Sequence, residues 1–476
     1  MSRFAWRLSQ TSACRWWSGT LAQLLAWVLL VLPGCTAPLS VLPASEKTTG
    51  QQQEKKMHNK GPIKVEIRGE PGHFQLFRGG EPYTIKGAGI ESGELQAFAD
   101  HGGNSFRTWS VGSKNRSGKE LLDEAQRLGL TVALGLPMGK EVWGFDYDDA
   151  DAVAAQLAEV TAIVAQYKDH PALLCWVIGN ELNFDYKNPR VYTAVNDISR
   201  MIHRLDPNHP TTTTTAGISA TLLADIVARA PDLDFLSVQV YGELYNLPDA
   251  VQALQIPMPL MITEWGAVGH WEIESTRWGA PLEDNSSVKA ANYLRGYSQV
   301  LAPLAGHVVG NYVFFWGQKQ EKTPTWYGMF LQSGEETEAI DVMHYIWNNR
   351  WPDNRSPSLQ DLQLDGAQAQ ENVTLVAGRQ YAAQVFVAAA DNHNLKFEWV
   401  IMREATATPG GGSYEPTPEI LADRVEQSGL PRTTVTAPVD PGPYRLFVYV
   451  RDQRGHGAHA NIPFLVVAGT GRVTTD

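Results

Sequence analysis

"ALLCWVIGNE", Ala172–Glu181, runs eight apolar or small residues straight into an amide and a carboxylate. A stretch that is apolar throughout, instead of alternating, reads as a strand covered on both faces, the habit of parallel sheets. Ending it on Asn180-Glu181 sets a charge at the lip of a core, which is costly unless the charge is paired or used. The pattern of a short apolar strand, a polar end and then a helical stretch recurs on either side. "YTIKGAGI" from Tyr83, "GGNSFRTWS" from Gly102 and "LTVALGLPMG" from Leu130 precede it. "TTTTTAG" from Thr211, "DFLSVQVYG" from Asp234, "PLMITEWG" from Pro259 and "HVVGNYVFFWG" from His307 follow. Between the third and fourth of these, Val153, Leu157, Val160, Val164 and Tyr167 step by three or four, which predicts a helix over Asp151–Lys168. Eight such units predict an α/β fold, a (β/α)8 TIM barrel, over residues 62–352. The competing doubly wound sheet would show a glycine-rich phosphate loop after its first strand, and the sequence has none.

Upstream of the barrel strands, Gly79-Gly80 marks a hairpin turn. Downstream, after "NNRWPDNRSPS" (Asn348–Ser358), helical signals vanish. "YAAQVFVAAAD", "LKFEWVIMRE", "YRLFVYVRD" and "NIPFLVV" alternate or run apolar between turn residues. They predict a C-terminal immunoglobulin-like β-sandwich over residues 356–470, interrupted by the loop Thr406–Glu419. Whether this sandwich binds carbohydrate or packs beside the barrel stays open.

At the other end, Arg3, Arg7 and Arg15 precede the apolar run Leu21–Leu32, the length of a signal segment and short for a membrane span. "LPGC", Leu32–Cys35, resembles a bacterial lipobox, so residues 1–34 are expected to be a lipoprotein signal peptide and Cys35 the lipidated residue. Thr36, not Asp, follows it, which by resemblance to bacterial sorting points to the outer membrane, facing the periplasm. Residues 35–61 are polar and aperiodic and read as a disordered tether. Of the three cysteines, Cys14 leaves with the signal and Cys35 carries lipid. Cys175 then stands alone in an apolar run, so neither an intramolecular disulfide nor a cysteine-ligated metal site is expected.

A net charge of −12, from 51 acidic and 39 basic residues with no basic cluster in the body of the chain, excludes phosphate-backbone recognition; nucleic acid is not an expected partner. Asp148-Asp149 precede the predicted helix and read as caps in preference to a cation site. No metal or cofactor is expected.

In a (β/α)8 barrel the chemistry is expected at the C-terminal ends of the strands. Those ends carry Arg107 and Trp109, Asn180 and Glu181, Tyr241, Glu264, and Trp316. Two carboxyls are what a retaining glycosidase needs, roughly 5–5.5 Å apart, one to shuttle a proton and one to attack the anomeric carbon. An arginine and a phenol would hold the attacking carboxylate ionised, and the less well paired carboxyl would keep a raised pKa. An amide suits a sugar hydroxyl, and an indole suits a pyranose face.

"WVIGNE" and "ITEWG", with "RTW" upstream and "FFWG" downstream, resemble the retaining β-glycosidases of glycoside hydrolase clan A, and most of all the family 2-type TIM-barrel enzymes. The resemblance covers Tyr83–Trp351. It implies that Glu181 is the general acid/base, that Glu264 is the nucleophile held by Arg107 and Tyr241, that Asn180 contacts the neighbouring sugar hydroxyl, and that Trp316 floors the subsite. Two departures stand out: Gln239 occupies the position two before Tyr241 where many members have Asn, and no jelly-roll domain precedes the barrel. The substrate class implied is a β-glucan-like polysaccharide or oligosaccharide. Hydrolysis and transglycosylation remain open, as do a glycan-binding lipoprotein without catalysis and a structural lipoprotein of a secretion complex. Trp143, Trp271 and Trp326 are candidate stacking platforms on loops near the same mouth; His270 and Glu272 read as solvated loop positions.

Overall fold

The eight predicted strands form one ring. In this computed structural model, which describes residues 61–91, 94–113, 115–388, 394–405, 414–427 and 429–469, the chain opens with β1 (Val65–Arg68), β2 (Gln75–Arg78) and β3 (Glu81–Pro82). The signal segment, Cys35 and the tether up to residue 60 lie outside the described residues. β2 and β3 form the hairpin expected at Gly79-Gly80, whose φ values of 61° and 87° only glycine adopts freely. The barrel strands follow as β4 (Gly87–Gly89), β5 (Ser105–Arg107), β6 (Thr131–Leu136), β7 (Leu173–Ile178), β8 (Thr211–Thr212) with β9 (Thr214–Ala216), β10 (Leu236–Gln239), β11 (Leu260–Gly266) and β12 (Val308–Phe314). All neighbours are parallel, and β12 pairs β4 to close the ring. The threonine run is one strand in two pieces: β8 pairs β7 and β9 pairs β10.

The predicted helix is α3 (Ala150–Tyr167), third in chain order after α1 (Leu95–Asp100) and α2 (Gly118–Arg127). It buries Val160, Val164 and Tyr167. Asp149 caps it by accepting from the Asp151 and Ala152 amides, and Asp148 pairs with Arg190 at 2.7 Å. Of the two carboxylates expected as caps, Asp149 alone caps the helix, and Asp148 is held in an ion pair instead.

The barrel interior is closed from below. The β1–β3 sheet attaches beneath the strand starts, Val65 donating to Asn208 O and Arg78 to Pro171 O. Val65, Leu76 and Ile85 pack there with Leu174, Cys175, Met261 and Tyr312. Cys175 is a core residue, as its sequence context suggested.

Among the described residues, seven strands make up the sandwich: β13 (Leu359–Leu364), β15 (Gln380–Val387) and β17 (Arg432–Thr436) in one sheet, and β14 (Thr374–Val376), β19 (Gly457–Val467), β18 (Gly442–Arg451) and β16 (Lys396–Arg403) in the other. Alternating burial along β16 turns Phe397, Trp399 and Ile401 into the sandwich core. The sandwich is bolted to the barrel by polar groups. Arg445 on β18 donates to Pro281 O at 2.8 Å and to the Glu404 carboxylate, and Asn461 on β19 donates to Glu283 at 2.6 Å. Glu283 is also bound to Lys289 at 2.5 Å and takes the Thr323 and Thr325 hydroxyls. Among the described residues, no helix is long and apolar enough to cross a membrane.

Candidate active site

Strand ends β5, β7, β10 and β11 bring their polar residues to one mouth. Glu264 lies on β11 and is 5% exposed. Its Oε1 accepts from Arg107 Nη1 at 2.9 Å, Trp109 Nε1 at 2.8 Å and Gln239 Nε2 at 2.9 Å. Its Oε2 accepts from the Tyr241 hydroxyl at 2.5 Å. Four donors, one of them a buried guanidinium, match an anionic carboxylate. Oε1 takes three of these donors and Oε2 one. Burial and the Glu264 charge push the Tyr241 phenol well above its usual range, so it stays a donor. Arg107 is fully buried, stacks over Trp109 at 4.7 Å, and its Nη2 reaches Asn180 Oδ1 at 2.8 Å.

Asn180 and Glu181 stand just past the end of β7. Gly179 makes the turn with φ 72°; a Cβ there would meet the Leu182 side chain at 2.7 Å. Glu181 itself has φ 48°, a left-handed conformation that costs a non-glycine residue on the order of 1–3 kcal/mol and is characteristic of functional sites. Thr214 on β9 holds it there, its carbonyl and its hydroxyl both accepting from the Glu181 amide, at 3.1 and 3.0 Å. Asn180 Oδ1 is fixed by Arg107 and by Gln239 at 2.8 Å, which turns its NH2 toward the cleft.

The Glu181 carboxyl is in a different state from Glu264. Burial first, and the Glu264 charge second, push its pKa up to about 7, against the pull of Lys140 and Arg107. Within one cavity, then, one carboxylate is ringed by donors and the other keeps its proton near neutrality.

That cavity, about 780 Å³, is lined by both glutamates, Asn180, Trp109, Phe314 and Phe315. Trp316 is absent from it. Its indole is 0% exposed and packs edge-on against Phe98 at 5.3 Å and beside Trp347 at 5.7 Å, between barrel and helices. Trp316 therefore does not reach the cavity it was expected to floor; its neighbours Phe314 and Phe315 line it instead. Trp326 is also not a platform: it is buried, with Nε1 donating to Val268 O. Trp143 and Trp271, by contrast, stand open at 63% and 58% exposure. Glu272 is no solvated bystander, because it accepts from the Gly242, Glu243 and Gly269 amides.

Sequence reasoning missed Gln239 as a site residue, although it sits two before Tyr241 and so on the same strand face. It also missed Thr214, hidden in a run of five identical residues, and Lys140, whose amine faces both glutamates. Among the described residues, no cluster of His, Cys, Asp and Glu suits a metal ion.

Residues 111–267 match the family model of the glycosyl hydrolases family 2 TIM barrel domain. Over these residues, part of the barrel, the chain is similar to that domain. A β-glucuronidase of Paenibacillus borealis is 27% identical over 222 residues, 43% of this chain and 35% of that protein. A mannan endo-1,4-β-mannosidase F of Aspergillus clavatus is 34% identical over 107 residues, 19% of this chain and 24% of that protein. The chain thus spans about a third or less of the length of these relatives. Among solved structures, a β-D-glucuronidase of Dictyoglomus thermophilum aligns with TM-score 0.46 and 20% identity, over 61% of this chain and 54% of that one.

Proposed function

We propose that the protein is a retaining β-glycosidase acting on a neutral, β-linked glycan of the β-glucan kind. The observation that carries this reading is the division of labour on one cavity: Glu264 is ringed by four donors, and Glu181 has a pKa near 7. Glu264 Oε2 attacks the anomeric carbon. As that bond forms, the glycosidic C–O bond breaks and the Glu181 proton passes to the leaving oxygen. Glu181, now a carboxylate, takes a proton from water, or from the hydroxyl of a second sugar. That oxygen bonds to the anomeric carbon, and Glu264 leaves as a carboxylate. Arg107, Trp109, Gln239 and Tyr241 receive its charge each time it is released, and Asn180 offers its amide to the sugar hydroxyl next to the anomeric centre.

The charge of the cleft favours a neutral sugar. Glu264 and Glu321 are paired with Arg107 and Lys319, at 2.9 and 2.5 Å, and Glu181 keeps its proton near neutrality, which leaves Glu91 and Glu159 facing the cleft against Lys140. A uronic acid would enter an opposing field. Proton NMR of the first-formed sugar tests the mechanism: double displacement predicts the β anomer ahead of mutarotation, and an α anomer appearing first contradicts it. From "LPGC" alone we also propose that the chain is anchored through lipid on Cys35 in the bacterial outer membrane, facing the periplasm. Cells fed an alkyne-tagged palmitate should label the protein, with the label absent from Cys35→Ala; an unlabelled wild-type chain would count against the anchor.

A further inference from the structure

The catalytic cavity is one of two that meet at the same carboxyl. A second, of about 1100 Å³, shares Glu181, Tyr241 and Trp271 with the first. Either alone has the size of a complete small-ligand site. Their linings come from different arcs of the barrel rim. The first is built mainly on the segments after β4, β5, β6, β7 and β12, and it carries Trp143 and Phe145. The second is built mainly on those after β9, β10 and β11, with Tyr245 among them, and it takes Phe184 from the segment after β7. β7 and β11, the strands that bear Glu181 and Glu264, are where one arc gives way to the other. The bond-breaking groups therefore stand between two arms of one groove, not at the bottom of a blind pocket.

Each arm presents a large open aromatic. Trp143 is 63% exposed in the first, Tyr245 is 42% exposed in the second, and Trp271, 58% exposed, stands at the junction. Apolar surface left in water at three points along one groove marks a binding surface. The loops beneath are pinned. The Glu141 carboxylate accepts from the Lys187 and Asn188 amides, fixing the turn that bears Trp143, and Lys140 stands 4.8 Å from the Trp143 ring. The single Glu272 carboxylate ties the Gly269 amide of the Trp271 loop to the Gly242 and Glu243 amides of the turn that bears Tyr245.

We infer that a glycan chain lies through both arms, with sugars stacked on Trp143 on one side of the cut and on Tyr245 on the other, and that the bond broken is an internal one. The inference rests on the glycosidase reading above and adds to it the mode of attack. The test uses the full-length protein with end-labelled hexaoses of β-1,3-glucan, β-1,4-glucan and β-1,4-mannan, and with activated aryl β-monoglycosides run alongside. Internal action predicts di- to tetrasaccharides as the first products of at least one hexaose. Trp143→Ala and Tyr245→Ala should displace the cleavage position in opposite directions along the chain. Each should raise KM for that hexaose by up to about tenfold, the worth of one aromatic contact. Monosaccharide as the first product, with the cleavage position indifferent to Tyr245→Ala, overturns the inference. So does turnover of aryl glycosides with every hexaose left intact, an outcome that leaves the glycosidase reading standing. Failure to turn over any of these compounds overturns both.

Discussion

Glu181 and Glu264 differ less in kind than in what surrounds them. Glu264 is met by four donors; Glu181 is met by burial and by a neighbouring negative charge. The proposed mechanism needs the acid form of Glu181 in the free enzyme, so kcat/KM should fall as pH rises through about 7. Lys140 holds that pKa down, so replacing it by Met removes a favourable charge from the ionised form. The alkaline limb of the profile should then move to higher pH, and a limb that stays put or moves down would remove Lys140 from the electrostatics of the site. Glu181→Ala should cost roughly 10²–10⁴-fold on poor leaving groups and far less on activated aryl glycosides, which need little protonation. Azide should restore turnover as a β-glycosyl azide. Equal losses on both substrate types would contradict the acid/base role.

At the scale of elements, the residues that line the mouth were legible because a parallel strand announces itself as an apolar run and its polar end follows directly. Each of the eight predicted runs contains an observed strand. What a run of this kind does not encode is which way its last residues turn. Phe314, Phe315 and Trp316 are three aromatics in succession, and no alternation distinguishes the one that enters the core. The structure sends the first two to the cleft and the third behind it. Trp316→Ala should therefore act on stability. A buried Trp truncated to Ala costs about 3–5 kcal/mol, readable by urea denaturation, and KM should be spared. A selective rise in KM with unchanged stability would restore Trp316 to the subsite. Gln239 shows the converse failure. It is visible as a departure from a pattern, but its two bonds, to Glu264 and to Asn180, depend on how the ring brings the ends of β7, β10 and β11 together.

For the molecule as a whole, the sandwich and the barrel share a buried ionic junction that no local pattern revealed. Asn461 and Glu283 lie 178 positions apart in sequence. Burial disfavours the Glu283 charge, yet Lys289, His459 and Arg445 around it bring its pKa down to about 2. The junction also reaches the cleft, since Thr323 and Thr325, which Glu283 holds, belong to the loop that carries Lys319, Glu321 and Tyr327. The sandwich thus buttresses a wall of the active site. Glu283→Ala leaves Lys289 buried without its partner and should destabilise the fold by about 3–5 kcal/mol. Because the folded pKa lies below the unfolded one, the stabilising effect of Glu283 is present above pH 4.5 and is lost as pH falls toward about 2. In acid titrations monitored by circular dichroism, the variant should lose this part of the pH dependence; an unchanged acid limb would mean that the junction is not what couples the two parts.

The predictions made at the paired glutamates rest on a covalent bond between Glu264 and sugar. The direct measurement is to treat the protein with a 2-deoxy-2-fluoro β-glycoside bearing a good leaving group and to map the adduct by peptide mass spectrometry. Double displacement through Glu264 predicts one glycosyl group, on Glu264, absent from Glu264→Gln. A stable adduct on any other residue, or no adduct while the same glycoside is turned over, would contradict it.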